Sequence, residues 1–250
     1  MNELATSAGY PIDQFPSKPF ASANEYFQAL ADLHLIHLRT QRNLVTNPED
    51  ARRRYVARHL FAKLAAGNHV NDDGPFKLFC DDLRPANILV DKKTLRITAV
   101  LDFEFTNVMP AQFAHDPPWW LLLVGPDMWI ERGHTMEEFV SLYQPRLEQF
   151  LHALEQIEGE TDRAQRGTQR LSSLMRDSWL NGDFWFNFAA RKSLDVDTIF
   201  YSQLDRINFG SNASIDLLDD EERARIESFV QMKMEQKEAY DEQLALLQGC

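Results

Sequence analysis

Residues 79–105, F-C-D-D-L-R-P-A-N-I-L-V-D-K-K-T-L-R-I-T-A-V-L-D-F-E-F, constrain the fold of this chain more than any other stretch. Ile88, Leu89 and Val90 form one short apolar run and Ile97 to Leu101 another. The polar D-K-K-T between them suits a turn, so the two runs read as a β-hairpin folding near Thr94 and Leu95. Pairing symmetric about that turn sets Asn87 opposite Asp102, with backbones about 5 Å apart as in neighbouring strands. An amide oxygen and a carboxylate then converge, and Asp82 stands five residues before Asn87 on the loop entering the hairpin.

Those residue types have separable chemistry. Magnesium takes a few hard oxygen ligands, keeps several waters and completes its shell from substrate phosphates, and Asn87 with Asp102 supplies such a partial cage. A carboxylate at Asp82 is placed to accept or orient the proton of an attacking hydroxyl. Asp82 is therefore the candidate catalytic residue, and Asn87 and Asp102 are the candidate metal ligands. The plain alternative is that Asp and Asn here merely end strands and cap turns, as they often do.

Helical patterns surround the hairpin. Residues 1–21 carry no sustained period and read as an extended lead-in. Ser22 and Glu25 form a capping-box signature, after which Phe27, Leu30, Ala31, His34, Leu35 and Leu38 recur at helical spacing. A second helix opens at Asn47-Pro48 with Glu49 and Asp50 in its first turn, and sets Tyr55, Val56, His59, Leu60 and Leu64 on one face. The run G-N-H-V-N-D-D-G-P breaks the pattern, and Lys77 to Cys80 reads as a short strand. Beyond the hairpin, H-D-P-P-W-W-L-L-L reads as a loop feeding a buried helix. Thr135 and Glu138 repeat the capping-box signature before a helix to about residue 158, which Pro145 should kink or split. Further helices are expected over about 164–190 and 219–247. The sum is a mainly α (α+β) protein with one small β-hairpin.

Composition narrows the function classes. With 44% hydrophobic residues among 250, the chain can bury a real core. No apolar run reaches the roughly 18 residues of a membrane span and the N-terminus lacks a signal-peptide pattern, so no membrane partner and a cytoplasmic location are expected. Cys80 and Cys250 are the two cysteines, too few for a disulfide framework or a thiolate metal site. The formal net charge of −12 argues against a nucleic-acid partner, whose phosphates call for clustered Lys and Arg. Trp119, Trp120, Trp179 and Trp185 read as core rather than as a stacking platform.

The chain resembles the aminoglycoside phosphotransferase (choline-kinase-like) family of the protein-kinase-like fold, in particular its fungal members. The resemblance is carried by C-D-D-L-R-P-A-N-I-L-V-D at 80–91, L-D-F-E-F at 101–105, D-P-P-W-W-L-L-L at 116–123, M-R-D-S-W at 175–179 and F-W-F-N-F-A-A-R-K-S at 184–193. It implies that 22–250 is a kinase-like C-terminal lobe, with catalytic loop and metal hairpin at 79–105 and a helical substrate side over 112–250. It makes Asp82 the catalytic-loop aspartate and Asn87 and Asp102 the metal ligands. Mg2+ and ATP are the implied cofactor and phosphoryl donor, and a hydroxyl of a small, often cationic molecule the implied acceptor. Asp116 is expected to hold the catalytic loop, Arg84 to brace it through an ion pair, and Cys80 and Asp81 to be structural departures from the family pattern.

The same resemblance marks an absence. The first 76 residues hold only Gly9, Gly67 and Gly74 and no strand-like segment with a lysine; Lys63, the nearest basic candidate, lies in a helical pattern. No nucleotide-binding residue is assigned, and the N-terminal nucleotide lobe is expected to be missing from this chain. Two readings therefore stand side by side: a small-molecule kinase, or a truncated or inactive kinase-like lobe that serves as a binding module or reflects an incomplete gene model. A third has the missing lobe supplied by another chain or an upstream exon.

Overall fold

The structure, a computed structural model, describes residues 4, 10–67, 76–161 and 169–248. The expectations for the loop after Gly67, for Cys250 and for most of the first nine residues fall outside them. In chain order the principal elements are α1 (Ala23–Thr40), α2 (Pro48–Gly67), β1 (Phe76–Cys80), β2 (Ile88–Val90), β3 (Ile97–Val100), β4 (Thr106–Pro110), α3 (Ala111–Ala114), α4 (Pro126–Glu131), α5 (Met136–Thr161), α6 (Leu171–Asn181), α7 (Asp183–Arg191), α8 (Val196–Ile199), a π-helical turn (Phe200–Leu204), α9 (Asp205–Phe209) and α10 (Asp220–Gln248). The protein is mostly helical with small antiparallel sheets. Among the described residues no helix is long and apolar enough to cross a membrane. The chain divides into two compact units, Met1–Asp73 with Phe188–Cys250, and Gly74–Asn187.

The first unit is built around α2. Asn47 starts it by accepting the Asp50 amide on its side chain at 2.9 Å, and Ser22 starts α1 by accepting the Glu25 amide at 3.2 Å. Sequence spacing assigns α2 one apolar face, yet every residue from Tyr55 to Phe61 is buried, because α1, α8 and α10 pack around it. Burial on all sides forces Arg58 inside, where it has no exposed surface. All its donors find acceptors: Nε and Nη2 reach the Asp197 carboxylate at 2.9 and 2.7 Å, Nη1 reaches the His34 carbonyl at 2.8 Å and His37 Nδ1 at 3.1 Å, and Nη2 also reaches the Ser193 carbonyl at 3.3 Å. Arg54 adds a second contact to Asp197 at 2.9 Å. Lys233 of α10, also fully buried, donates to the carbonyl of Gln41 at the end of α1.

The second unit holds the strands and α3 to α6, with α7 up to Asn187. The expectation of one hairpin is corrected: two two-stranded sheets form, β2 with β3 and β1 with β4. The outer pair runs from Phe76 opposite Pro110 to Cys80 opposite Thr106, so its inner end closes on residues 81–105. Strand β4 was hidden because T-N-V-M-P lacks a repeated apolar alternation and ends in proline, which is tolerated at a strand end. α3 packs on β1 and β4.

Two helical expectations also change, and of the kink or split expected at Pro145 the split does not occur. W-W-L-L-L does not enter a helix: Leu123 takes a left-handed backbone, φ 66°, and closes a turn on the Trp120 carbonyl at 2.7 Å, and Gly125-Pro126 then starts α4. α5 runs through Pro145 without splitting, held by a buried stripe of Met136, Phe139, Tyr143, Leu147 and Leu151. The helix expected over 164–190 is two, broken at Gly182, whose φ of 85° ends α6 where a side chain would be strained. Across that break Trp179 and Trp185 join Tyr143, Phe184 and Phe139 in an aromatic core, with Trp179 4.7 Å from Tyr143 between ring centroids.

Removing Asp197 strands the Arg58 charge in the interior, so Asp197→Ala should cost about 3–5 kcal/mol in urea unfolding, while Arg58→Met, which leaves Asp197 its contact to Arg54, should cost less. The joint Arg58→Met, Asp197→Leu replacement should recover part of the loss, and single variants within about 1 kcal/mol of the parent would show the pair is not structural. Burial first, then the facing Arg58 guanidinium, hold the His37 imidazole down to about 3, with Lys233 and Arg54 adding to the effect and Asp197 opposing it. Folded His37 stays neutral while the unfolded chain takes up a proton below about 6.5, so stability is lost as pH falls from about 6.5 towards 3. His37→Gln should make the pH dependence of the urea midpoint shallower over that window; an unchanged slope would refute the role of His37.

Candidate active site

The site is assembled at the inner end of the β1–β4 pair. Directly after β1, the Asp81 amide donates to the Phe105 carbonyl at 3.3 Å and the Leu83 amide turns back to the Cys80 carbonyl at 3.3 Å. Pro85 starts a short 3-10 turn, Pro85–Asn87, which delivers the chain into β2. This loop carries Asp82, Arg84 and Asn87 within one tight excursion.

Asn87 and Asp82 are directly joined. The Asn87 side-chain amide donates to the Asp82 carbonyl at 2.9 Å and to the Asp82 carboxylate at 3.1 Å, so one side chain fixes both the loop backbone and the rotamer of the acid. Arg84 Nε lies 3.0 Å from the other carboxylate oxygen, the bracing ion pair expected of it. The contact is half exposed on the arginine side and orients Asp82 more than it stabilises the loop. Trp119 adds a donor to the Asp81 carbonyl at 3.3 Å.

Asp102 sits differently from the symmetric expectation. The turn closes with Asp91 bonded to the Arg96 carbonyl at 2.9 Å and to the amides of Lys93 and Thr94 through its side chain, earlier than a turn centred on Thr94 and Leu95. A bulge between Leu89 and Val90 in the pairing then leaves Thr98 without an opposite residue. The combined shift sets Asn87 opposite Leu101, whose amide donates to the Asn87 carbonyl at 2.8 Å. Asp102 is one residue beyond and adopts a left-handed backbone, φ 61°, which breaks the strand there. Such a backbone is sparsely populated for residues other than glycine and is least costly for Asp and Asn. The Asp102 carboxylate has no hydrogen-bond or ion-pair partner among the described residues.

The donor chemistry fits a hard divalent ion. The Asn87 amide nitrogen is engaged by Asp82, which leaves its oxygen as the unused end, and Asp102 offers an unshared carboxylate. No group of three or more His, Cys, Asp or Glu side chains that could hold a metal occurs among the described residues, so any ion here must draw further ligands from water and substrate.

Behind the loop, buried Asp116 accepts from Ser178 Oγ at 2.6 Å and from Asn187 Nδ2 at 2.9 Å. The second bond explains a polar residue, Asn187, set in the otherwise apolar and aromatic run F-W-F-N-F-A-A. That interruption was the sequence signal, and only the fold could name the partner. Tyr143 donates to the Pro118 carbonyl at 2.8 Å, and burial, with the Asp116 charge second, drives its phenol well above the ordinary range.

If Asp102 is held in a left-handed backbone, Asp102→Gly should stay within about 1 kcal/mol of the parent in urea unfolding. Asp102→Val, with a branched side chain in the same conformation, should lose about 1–3 kcal/mol. Equal stabilities of the two variants would contradict the backbone assignment.

Comparison with protein-family models matches residues 12–116, a span containing Asp82, Asn87, Asp102 and Asp116, to APH, described as the phosphotransferase enzyme family. No curated protein and no solved structure matched the chain. The match supports that family for the segment that bears the site.

Proposed function

We propose that the chain carries the phosphotransfer site of a kinase-like lobe and acts on a hydroxyl of a small, often cationic acceptor with ATP as phosphoryl donor. The observation that carries the proposal is the pair of hydrogen bonds that the Asn87 amide donates to Asp82, made inside the span that matches the phosphotransferase family. It orients the carboxylate while leaving the amide oxygen for a ligand.

In this reading Asp82 accepts the proton of the acceptor hydroxyl as its oxygen bonds to the γ-phosphorus. The bond from that phosphorus to the bridging oxygen breaks, and ADP leaves. Arg84 and Asn87 keep Asp82 in one rotamer during the attack, which is positional catalysis rather than new chemistry. Asn87 and Asp102 would hold Mg2+, which supplies charge neutralisation at the phosphates. That the Asp102 carboxylate is exposed and has no partner among the described residues is compatible with that role.

A second reading is favoured by the surface of both sheets. Leu78 and Val108 on the outer pair and Leu95 and Ile97 on the hairpin are 74%, 63%, 78% and 63% exposed. So much apolar strand surface suits a lobe that works against further polypeptide, and on this reading the chain by itself binds without turning over.

Calorimetry with ATP and Mg2+ separates the two. Binding at millimolar nucleotide, followed by transfer to a hydroxylated amine, is the expected result for the enzyme; a folded chain that binds no nucleotide supports the second reading. Where transfer is measured, Asp82→Asn should lose about 100-fold or more in turnover. Asn87→Ala and Asp102→Ala should raise the Mg2+ concentration needed for half-maximal rate, and near-parental turnover of Asp82→Asn would remove the assignment of Asp82.

A further inference from the structure

Within the first unit, the opening turns of α2 and the chain around the π-helical turn and residues 213–215 enclose a cleft of about 350 Å³. This lies in the lower part of the range of small-molecule sites, roughly 300–1,000 Å³. Its floor is apolar, formed by buried Val56 and Ile226. All its lining residues lie outside 79–105, so it is separate from the residues assigned to phosphotransfer.

The two arginines of the lining are in different states. Arg52 closes a two-pronged pair on Glu227, at 2.8 and 2.7 Å, and its charge is answered. Arg53 makes no ion pair among the described residues; its guanidinium lies over the Tyr201 ring, 4.2 Å from the centroid. The ring is itself fixed, since the Tyr201 hydroxyl donates to the Arg53 carbonyl at 2.7 Å. Burial pushes that phenol up to about 12, so it remains a neutral donor. Tyr201 belongs to the π-helical turn, an irregularity that recurs at functional sites because it re-aims a side chain from a helix.

The remaining polar groups set the charge of a ligand. The Ser214 hydroxyl has no hydrogen-bond partner among the described residues. Glu49 also lines the cleft, where its charge acts on Arg52, while the N-terminal end of α2 adds partial positive charge. That balance admits one negative charge and disfavours two, which weighs against a phosphate dianion in a chain of net charge −12.

We infer that this cleft is a binding site for a small organic monoanion, a flat apolar body bearing one carboxylate. The carboxylate meets the Arg53 guanidinium and the Ser214 hydroxyl, and the body lies on Val56 and Ile226 beside the Tyr201 ring. Guanidinium already stacked on an aromatic face is preorganised, so little side-chain freedom is lost on binding.

The test uses the full chain labelled with 15N and titrated with sodium benzoate, with neutral benzamide as the matched control. Benzoate should shift the Arg53, Tyr201 and Ser214 amides saturably in the millimolar range, and benzamide should bind at least about tenfold more weakly, ~1.4 kcal/mol. Arg53→Met should weaken benzoate about tenfold or more, and Ser214→Phe, which fills the mouth, should abolish the shifts while the spectrum stays dispersed. Shifts that do not saturate, equal binding of benzamide, or parental affinity in both variants would overturn the inference. None of these results bears on ATP binding, so failure here is distinct from failure of the phosphotransfer reading.

Discussion

A guanidinium with no exposed surface anchors the first unit. Arg58 is costly to desolvate, and it is tolerated only because the Asp197 carboxylate, two carbonyls and the unprotonated nitrogen of His37 together take all of its donors. The acceptors come from three parts of the chain: α1 supplies His34 and His37, the segment before α8 supplies Ser193, and α8 supplies Asp197. The geometry of one side chain therefore sets the mutual placement of α1, α2 and α8. His37 must stay neutral for the arrangement to hold, since an imidazolium would face the guanidinium.

In the second unit a comparable role falls to hydrogen bonds around the loop after β1. Asn87 serves its loop twice, with its carbonyl in the ladder to Leu101 and its side-chain amide on Asp82. Asp116 gathers donors from α6 and α7, and Trp119 and Tyr143 tie the following segment to backbone carbonyls. The loop itself is held by Asn87 and Arg84 on Asp82 and by Trp119 on the Asp81 carbonyl, which leaves it little freedom. The strained backbone at Asp102 is consistent with that economy, because local strain persists only where surrounding bonds over-determine it.

Along α2, neighbouring side chains of one type are sent to different surroundings. Arg58 and Arg54 turn inward to Asp197, Arg52 outward to Glu227, and Arg53 onto an aromatic ring. Four arginines within seven residues meet three kinds of environment because successive helical positions advance about 100° around the axis.

Local signals were legible in the residues themselves. Ser22 with Glu25, Asn47-Pro48 and Thr135 with Glu138 start helices because each cap is satisfied within one turn, and the β2–β3 hairpin follows from two β-branched runs about a polar turn. The contact between Asp82 and Asn87 was readable for the same reason, since residues five apart on one tight loop cannot be far from each other. Other features depended on the fold. Strand β4 exists because β1 is there to pair with it, and the break at Gly182 serves an aromatic core drawn from three helices. The register that puts Leu101, not Asp102, opposite Asn87 depends on a bulge no pattern announces. Arg58 inside, Asp116 bonded to Ser178 and Asn187, and Arg53 stacked on Tyr201 join residues 62 to 148 positions apart. Sequence alone determines what each short segment prefers, because those preferences are satisfied by neighbours within a turn. Which buried charge meets which acceptor was decided only when tertiary packing removed water and left distant groups as the available partners.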